Sequence, residues 1–204
     1  MCSATKQQAR RYERTGKVMI ENAKWIAATE AEQAPCIEKS FSVGKVSSAI
    51  LDITGLGYFC AEINGKNVTD DLFNPVFSDY RVRPLNNLLY PIADRMNHRV
   101  YFCRYDVTEL LAEGINTLSV CLGNGWYRQT KRTAEGHLEF GKRLIARFSL
   151  RYIDNNEQQH EILSDGTETW RQTEVVENNL FYGETQDLRR LVKNDSRYPV
   201  ATED

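Results

Sequence analysis

The sequence predicts an all-β protein, an antiparallel β-sandwich with a short N-terminal arm. Apolar and polar residues alternate in several short runs from about Phe41 onward, which is the pattern of strands with one buried face. Turn residues separate these runs about every eight to twelve residues, a spacing typical of sandwiches and barrels. Few segments have the period of a helix.

The first strands flank a hairpin. The runs SSAILDIT and YFCAEINGKNV alternate, and the second contains Asn64-Gly65, a pair that accepts the positive φ angles of a tight hairpin turn. The next predicted strand is RVYFCRYDV. After it, TELLAEG predicts one or two helical turns, with Thr108 as the N-cap and Gly114 as the stop.

The second half of the chain continues the alternating pattern. INTLSVCL predicts a strand, and DNN turns the chain between RLIARFSLRYI and EQQHEILS, after which DGTETWRQ continues in the same style. The pattern of RLIARFSLRYI is the clearest, because five apolar residues share one predicted face: Leu144, Ala146, Phe148, Leu150 and Tyr152.

Composition divides the chain into three segments. We predict an N-terminal arm, partly helical or irregular, at residues 1–40 and the β-sandwich module at residues 41–190. Residues 191–204 are predicted to form a C-terminal tail or truncated linker. Residues 84–98 contain two prolines and predict a long loop, a feature that is often functional.

The overall charge and hydropathy exclude several classes of partner. The 204 residues carry a formal net charge of -2, so we expect neither nucleic acid nor an anionic membrane as a partner. No apolar stretch approaches the ~20 residues that span a bilayer, and no signal peptide is visible, so we expect a cytoplasmic chain, or a secreted one that has been trimmed. Five irregularly spaced cysteines without a C-x-x-C motif indicate thiols rather than a zinc site.

An ordered set of motifs resembles a known family. Between about Ala23 and Arg189 the chain contains AKWI, GLGYFCAEINGKNV, NPVFSDY, YDVTELLAEGINTLSVCLGNGWYR, RLIARFSLRY, DGTETW and YGETQD. Together they resemble the N-terminal β-sandwich of bacterial α-L-rhamnosidases of glycoside hydrolase family 78. Phe77 stands where that family usually has tryptophan, and Val76 where it has glycine.

The resemblance implies a jelly-roll (galactose-binding-like) accessory module that precedes an (α/α)6 catalytic barrel. The family's catalytic carboxylates belong to the barrel, so the resemblance implies no catalytic residue in this chain and no hydrolysis by it alone. It also implies two partners, an L-rhamnose-containing glycan or glycoside and a glycosidase catalytic domain. Related modules bind L-rhamnose with the help of calcium, which makes Ca²⁺ the candidate cofactor.

Two loops supply the residue types of a sugar site. Protein sites for neutral sugars combine an aromatic face with amides, carboxylates and arginine. The turn GNGWYRQ supplies Asn124, Trp126, Tyr127 and Arg128 as candidate sugar ligands. The segment TDDLFNP supplies Asp70, Asp71 and Asn74 as candidate ligands of a cation, since calcium takes six to eight hard oxygen atoms.

Each candidate also has a structural interpretation. Trp126 after the G-N-G turn can cap the sandwich core, and Asn124 can be present because asparagine tolerates a positive φ angle. The two aspartates next to Asn74 can end a strand in an Asx-turn. Glu184 and Asp187 lie too close in sequence to predict a facing pair of catalytic acids, and a solvated edge is the simpler interpretation.

Two functional hypotheses follow. The first is a non-catalytic, carbohydrate-associated module that binds rhamnosides or braces a catalytic barrel. The second is a protein-interaction module that docks on a separate glycosidase subunit and has no sugar site. A complete small hydrolase ranks last, because the sequence contains no G-x-S-x-G, H-E-x-x-H or phosphate-loop motif.

Overall fold

The computed structural model describes residues 19–30, 32–78, 80, 100–129, 139–193 and 196–203. Residues 1–18 of the predicted N-terminal arm and the loop predicted at residues 84–98 lie outside these ranges. None of the helices within them is long and apolar enough to cross a membrane.

The described residues form thirteen strands. Their bounds are β1 Trp25–Ala28, β2 Cys36–Val43, β3 Val46–Gly55, β4 Tyr58–Ile63, β5 Lys66–Asn67, β6 Cys103–Asp106, β7 Gly114–Gly123, β8 Ile145–Asp154, β9 Gln159–Leu163, β10 Thr169–Arg171, β11 Val175–Asn179, β12 Gly183–Gln186 and β13 Tyr198–Glu203. Two short 3-10 helices span Met19–Asn22 and Thr108–Leu110, and one α-helix, α1, spans Arg189–Lys193.

The strands build two antiparallel layers. Sheet 1 has the order β5-β4-β7-β2-β10, and sheet 2 has the order β1-β8-β3-β6, with β9 beside β8. Strand β13 joins the layers, because its first two residues pair with β10 while Val200–Glu203 pair with β1. Strands β11 and β12 form a separate hairpin. The predicted antiparallel β-sandwich is confirmed.

Alternation along the strands builds the core between the layers. All five apolar residues predicted to share one face of the β8 run are buried. Opposite them, sheet 1 contributes Leu118, Val120 and Leu122 from alternate positions of β7. Each such side chain contributes roughly 1.5–3 kcal/mol when fully buried. The predicted hairpin is also present, with Asn64 and Gly65 at φ 55° and 73° between paired β4 and β5.

The sheets extend beyond the predicted module boundaries. Strands β1 and β2 begin inside the predicted arm of residues 1–40, and β13 lies inside the predicted tail of residues 191–204. Strand β1 has neighbours on both edges, and three of its four residues are buried. A strand buried on both faces does not alternate, so its sequence lacks the signal that marked the other strands.

The helical turn after β6 is shorter than predicted and is capped differently. Thr108 is the first residue of the 3-10 helix rather than its N-cap, which is Val107 and makes no side-chain cap hydrogen bond. The Thr108 hydroxyl instead donates to the Asp106 carboxylate at 2.7 Å and accepts the Ala49 backbone N–H at 2.9 Å. The threonine therefore ties this turn to β3.

A buried lysine of sheet 1 pairs with one exposed and one buried carboxylate. The Lys39 ammonium, on β2, lies 2.7 Å from the carboxylate of Asp165 and 3.1 Å from that of Glu168. Glu168 is 2% exposed and accepts the backbone N–H of Gly166 at 2.8 Å. A buried carboxylate is tolerated when it is paired and hydrogen-bonded, so this cation stabilises the loop between β9 and β10.

Candidate functional site

The loop after β7 turns where glycines allow it. Gly125 has φ +49°, and a Cβ atom there would lie 3.0 Å from the Tyr58 ring. Gly57, on the neighbouring turn, has φ +107°, and a Cβ atom there would lie 2.0 Å from the Gly123 carbonyl oxygen. Asn124 is not among the residues with positive φ, so the conformational role expected for it belongs to Gly125.

Asn124 is completely buried and holds three parts of the chain together. Its Nδ2 donates to Gln33 Oε1 and to the Asn178 carbonyl oxygen, both at 2.7 Å. Its backbone N–H donates to Asn178 Oδ1 at 3.0 Å. These bonds fasten the residues before β2 and the β11–β12 hairpin to the end of β7.

Arg128 is also directed inward. Its side chain donates to Asn124 Oδ1 at 2.9 Å, to the Lys142 carbonyl oxygen at 3.0 Å and to the Glu32 carbonyl oxygen at 2.6 Å. The residue is only 3% exposed, and this burial lowers the pKa of the guanidinium. Each of the three guanidinium nitrogens therefore donates a hydrogen bond within the protein.

Tyr127 packs beneath the loop. It is 7% exposed and meets Tyr80 edge to face, with ring centroids 5.5 Å apart. Its ring is nearly parallel to that of Phe140, with centroids 6.3 Å apart. Burial raises the pKa of the Tyr127 hydroxyl. The tyrosine thus supports the loop from the core side.

Trp126 is the member of the predicted sugar site that reaches the surface. It is partly exposed, and its ring meets Phe181 edge to face at 5.4 Å and Phe77 at 6.0 Å. These two neighbours are 45% and 37% exposed. We call Phe77, Trp126 and Phe181 the aromatic surface. Beside it, Tyr58 packs on Phe73, which is 64% exposed.

The four predicted sugar ligands therefore divide into two groups. Trp126 faces outward in part, whereas Asn124, Tyr127 and Arg128 are buried. Their roles in sugar binding stay predictions. The sequence interpretation missed Phe181, although the pair Phe181-Tyr182 next to a glycine was a visible signal of an exposed aromatic turn.

The predicted cation loop lies beside the same surface. Asp70 and Asp71 are exposed, whereas Asn74 is 3% exposed and its Nδ2 donates to the Asp71 carbonyl oxygen at 3.2 Å. The Asp71 backbone N–H donates to the Thr69 hydroxyl at 3.1 Å. Within the described ranges, no group of three or more His, Cys, Asp and Glu residues could hold a metal ion. Calcium binding at this loop stays a prediction.

The two acids of the β12 region bind neighbours at the surface. The Glu184 carboxylate accepts a hydrogen bond from Asn178 Nδ2 at 3.1 Å. The Asp187 carboxylate accepts a hydrogen bond from Arg189 Nε at 2.8 Å, and this bond lowers the pKa of the Asp187 carboxyl to about 2. Glu184 is exposed and Asp187 is partly exposed. This arrangement is the solvated edge that the sequence favoured over an acid/base pair.

Comparison with known proteins identifies one family. The model of the α-L-rhamnosidase N-terminal domain matches residues 44–87 and 84–202. An α-L-rhamnosidase of Formosa agariphila is 33% identical over 153 residues, which cover 71% of this chain and 14% of that protein. The chain spans between 11% and 14% of the length of the curated relatives it matches.

Two solved structures have the same fold. The native α-L-rhamnosidase from Aspergillus terreus aligns with TM-score 0.71 and 21% identity, over 91% of this chain and 21% of that chain. The Streptomyces avermitilis α-L-rhamnosidase complexed with L-rhamnose aligns with TM-score 0.68 and 25% identity, over 88% of this chain and 16% of that chain.

Proposed function

Because the chain belongs to the family of α-L-rhamnosidase N-terminal domains, we propose that it is a non-catalytic module that braces a glycosidase catalytic barrel through its aromatic surface. The observation that supports this most directly is the division within the loop after β7. Polar groups suited to sugar hydroxyls bind the protein itself, whereas Trp126 and its two aromatic neighbours face outward.

The aromatic surface has the properties of an interface anchor. Trp is among the residues that dominate binding energy at protein interfaces. The loop that presents Trp126 is held by the buried bonds of Asn124 and Arg128, so little conformational entropy is lost when a partner binds. Exposed Phe73, which packs on Tyr58 beside this surface, extends the apolar area. A rigid apolar end of this kind suits a lasting contact between domains.

Sugar binding is the second candidate function. Trp126 offers part of an aromatic face, and exposed Asp70 and Asp71 follow β5 and shortly precede Phe73, which packs on Tyr58. Carboxylates beside an aromatic ring fit the hydroxyls and the C–H face of a sugar, and calcium could join them there. One relative has been solved with L-rhamnose bound, which makes this sugar the first to test.

A domain exchange tests the bracing role. The matching segment of the Formosa agariphila α-L-rhamnosidase is replaced by this chain, and thermal unfolding and hydrolysis of an aryl rhamnoside are measured on the whole enzyme. We expect Trp126→Ala combined with Phe181→Ala to lower the Tm of the enzyme by several degrees, while the same pair leaves the isolated chain nearly as stable as before. The reason is that truncation removes contacts made only in the full enzyme.

Ile115→Ala is the matched control. Ile115 is also a large apolar residue, 80% exposed, and lies at the start of β7 rather than at its end. If it lowers the Tm of the exchanged enzyme as much as the aromatic pair does, the aromatic surface is not the contact. Association of the isolated chain with a separately expressed glycosidase subunit would instead support docking between subunits.

A further inference from the structure

Three cysteines form a row across sheet 1. Cys121, on the central strand β7, is directly opposite Cys36 on β2 and directly opposite Cys60 on β4. The residues next to them in sequence, Ile37, Val120 and Ala61, point into the core, so the three thiols lie on the outer face of the sheet. The three cysteines are far apart in sequence, and the register of three strands brings them together.

The spacing of the row suits disulfide bonds. Opposed Cα atoms in antiparallel strands lie about 4.5 or 5.5 Å apart, within the range of about 4.4–6.8 Å that disulfides span. The sulfur atoms of Cys36 and Cys121 are 2.6 Å apart. Cys36 is fully buried, Cys121 is partly exposed and Cys60 is exposed. Access from solvent therefore begins at Cys60.

Charge distinguishes the three thiols. Arg171, on β10, is opposite Cys36 and extends the row. The hydrogen bond from the Cys121 thiol, together with the charge of Arg171, outweighs burial and lowers the pKa of Cys36. Burial, with Glu62 and Glu184 nearby, raises the pKa of Cys60. Cys60 is therefore the thiol that solvent reaches, and its raised pKa keeps most of it in the thiol form.

We infer that Cys60, Cys121 and Cys36 form a thiol–disulfide relay that reacts with a small disulfide oxidant such as oxidised glutathione and ends as a Cys36–Cys121 disulfide. This site lies on the strands of sheet 1 and does not depend on the proposed function of the aromatic surface. It is a modification site for a low-molecular-weight disulfide.

The relay proceeds by three exchanges. The Cys60 thiolate attacks one sulfur of oxidised glutathione, and the first glutathione leaves as a thiolate that takes up a proton. Cys121 then loses its proton and attacks the Cys60 sulfur, and the second glutathione leaves as a thiolate that takes up a proton. Finally the Cys36 thiolate attacks the Cys121 sulfur, and Cys60 leaves and regains a proton. Two protein thiols are oxidised to one disulfide, and one oxidised glutathione is reduced to two thiols.

The row also favours the last exchange geometrically. Exchange requires that the attacking, central and leaving sulfur atoms lie roughly in line, and the three opposed positions on β2, β7 and β4 provide such a line. The resulting bond joins two adjacent strands of sheet 1 whose cysteines are 85 positions apart in sequence. A cross-link that closes so long a loop stabilises the folded state.

The test uses the whole chain with Cys2 and Cys103 replaced by serine. The reduced protein is treated with oxidised glutathione under native conditions and followed by thiol titration, intact mass and peptide mapping. We expect loss of two thiols, no retained glutathione and a linked pair of peptides containing Cys36 and Cys121. The Tm should rise by on the order of 5–10 °C, and dithiothreitol should reverse the rise.

Three single variants separate the steps. Cys121→Ser should leave glutathione on Cys60, Cys36→Ser should stop at a Cys60–Cys121 disulfide, and Cys60→Ser should slow formation of the Cys36–Cys121 disulfide at least tenfold. The relay is overturned if glutathione stays on Cys60 in the protein that has all three cysteines. It is also overturned if Cys60→Ser oxidises at an unchanged rate, since the exposed thiol would then not be the point of entry.

Discussion

Arg128 donates a hydrogen bond from Nε to the side-chain oxygen of Asn124 at 2.9 Å, and both residues are buried. Asn124 in turn donates to Gln33 and to the Asn178 carbonyl oxygen. One network therefore links the chain before β2, the end of β7 and the β11–β12 hairpin. Its consequence is a fixed loop on which Trp126 is held at the surface.

The first prediction concerns the centre of this network. Arg128→Met should lower the free energy of unfolding by about 3 kcal/mol, because the buried side-chain oxygen of Asn124 and two backbone carbonyl oxygens lose their donor. Urea unfolding measures the loss. Arg189→Met is the control, since it removes the same charge from a side chain that is 87% exposed and should leave the midpoint nearly unchanged. Equal effects of the two variants would contradict a structural role for Arg128.

The second prediction concerns the turn before β4. Gly57→Ala should destabilise the protein by about 2 kcal/mol or more, because alanine at φ +107° is strained and its Cβ would collide with the Gly123 carbonyl oxygen. Gly44→Ala is the matched control, since nothing lies within 4 Å of a Cβ atom at that position and its φ is not in the positive range. Thermal unfolding distinguishes the two, and a stable Gly57→Ala variant would refute the close approach.

The third prediction concerns the buried cation. Lys39→Met should cost roughly 3 kcal/mol of stability, because the carboxylate of Glu168 then stays buried without its partner. Adding Glu168→Gln to this variant should restore part of the loss. Lys45→Met serves as the control, because Lys45 is exposed. If the double variant unfolds at the same urea concentration as Lys39→Met alone, the two residues are not coupled.

The fourth prediction is a pH dependence. Burial raises the pKa of Asp165, but hydrogen bonds from Lys39 and Thr167 outweigh it and lower the pKa to about 2 from the ordinary value of 3.8. The stabilisation is therefore complete above about pH 4 and is lost as the pH falls toward 2. Asp165→Asn should flatten the decline of Tm across that interval, whereas Asp70→Asn should keep it. An unchanged slope in Asp165→Asn would count against the ion pair.

The fifth prediction concerns ligand and metal. Because three of the four predicted sugar ligands are buried, we expect Trp fluorescence to stay flat when millimolar L-rhamnose is added, with calcium or with EDTA present. A saturable change that requires calcium and disappears in Asp70→Asn/Asp71→Asn would instead establish the sugar site and its metal. Trp126→Phe serves as a control, because it identifies which tryptophan responds.

The sequence predicts correctly the strands that have one buried and one solvent-exposed face. The β8 run showed its buried residues directly in its alternating pattern, and Asn64-Gly65 marked its hairpin by the φ angles it accepts. Strands β1 and β13 gave no such signal. Strand β1 is enclosed by neighbours on both edges, and β13 contains a proline and divides its pairing between two sheets.

The candidate site shows the same division. Its composition, an aromatic residue among amides and arginine, was visible in GNGWYRQ. The direction of each side chain was not, because Asn124 and Arg128 point inward only to reach partners far away in sequence, namely Gln33, Asn178 and Glu32.

The sequence by itself determined the layers and the family, because alternation and local turn chemistry act over a few residues and the family's motifs are read in order. Tertiary structure decided which polar groups are hydrogen-bonded inside the protein and which aromatic rings remain exposed. It also decided that three cysteines far apart in sequence lie in one row. These outcomes depend on strand register and on contacts across the fold, and no local pattern in the chain encodes them.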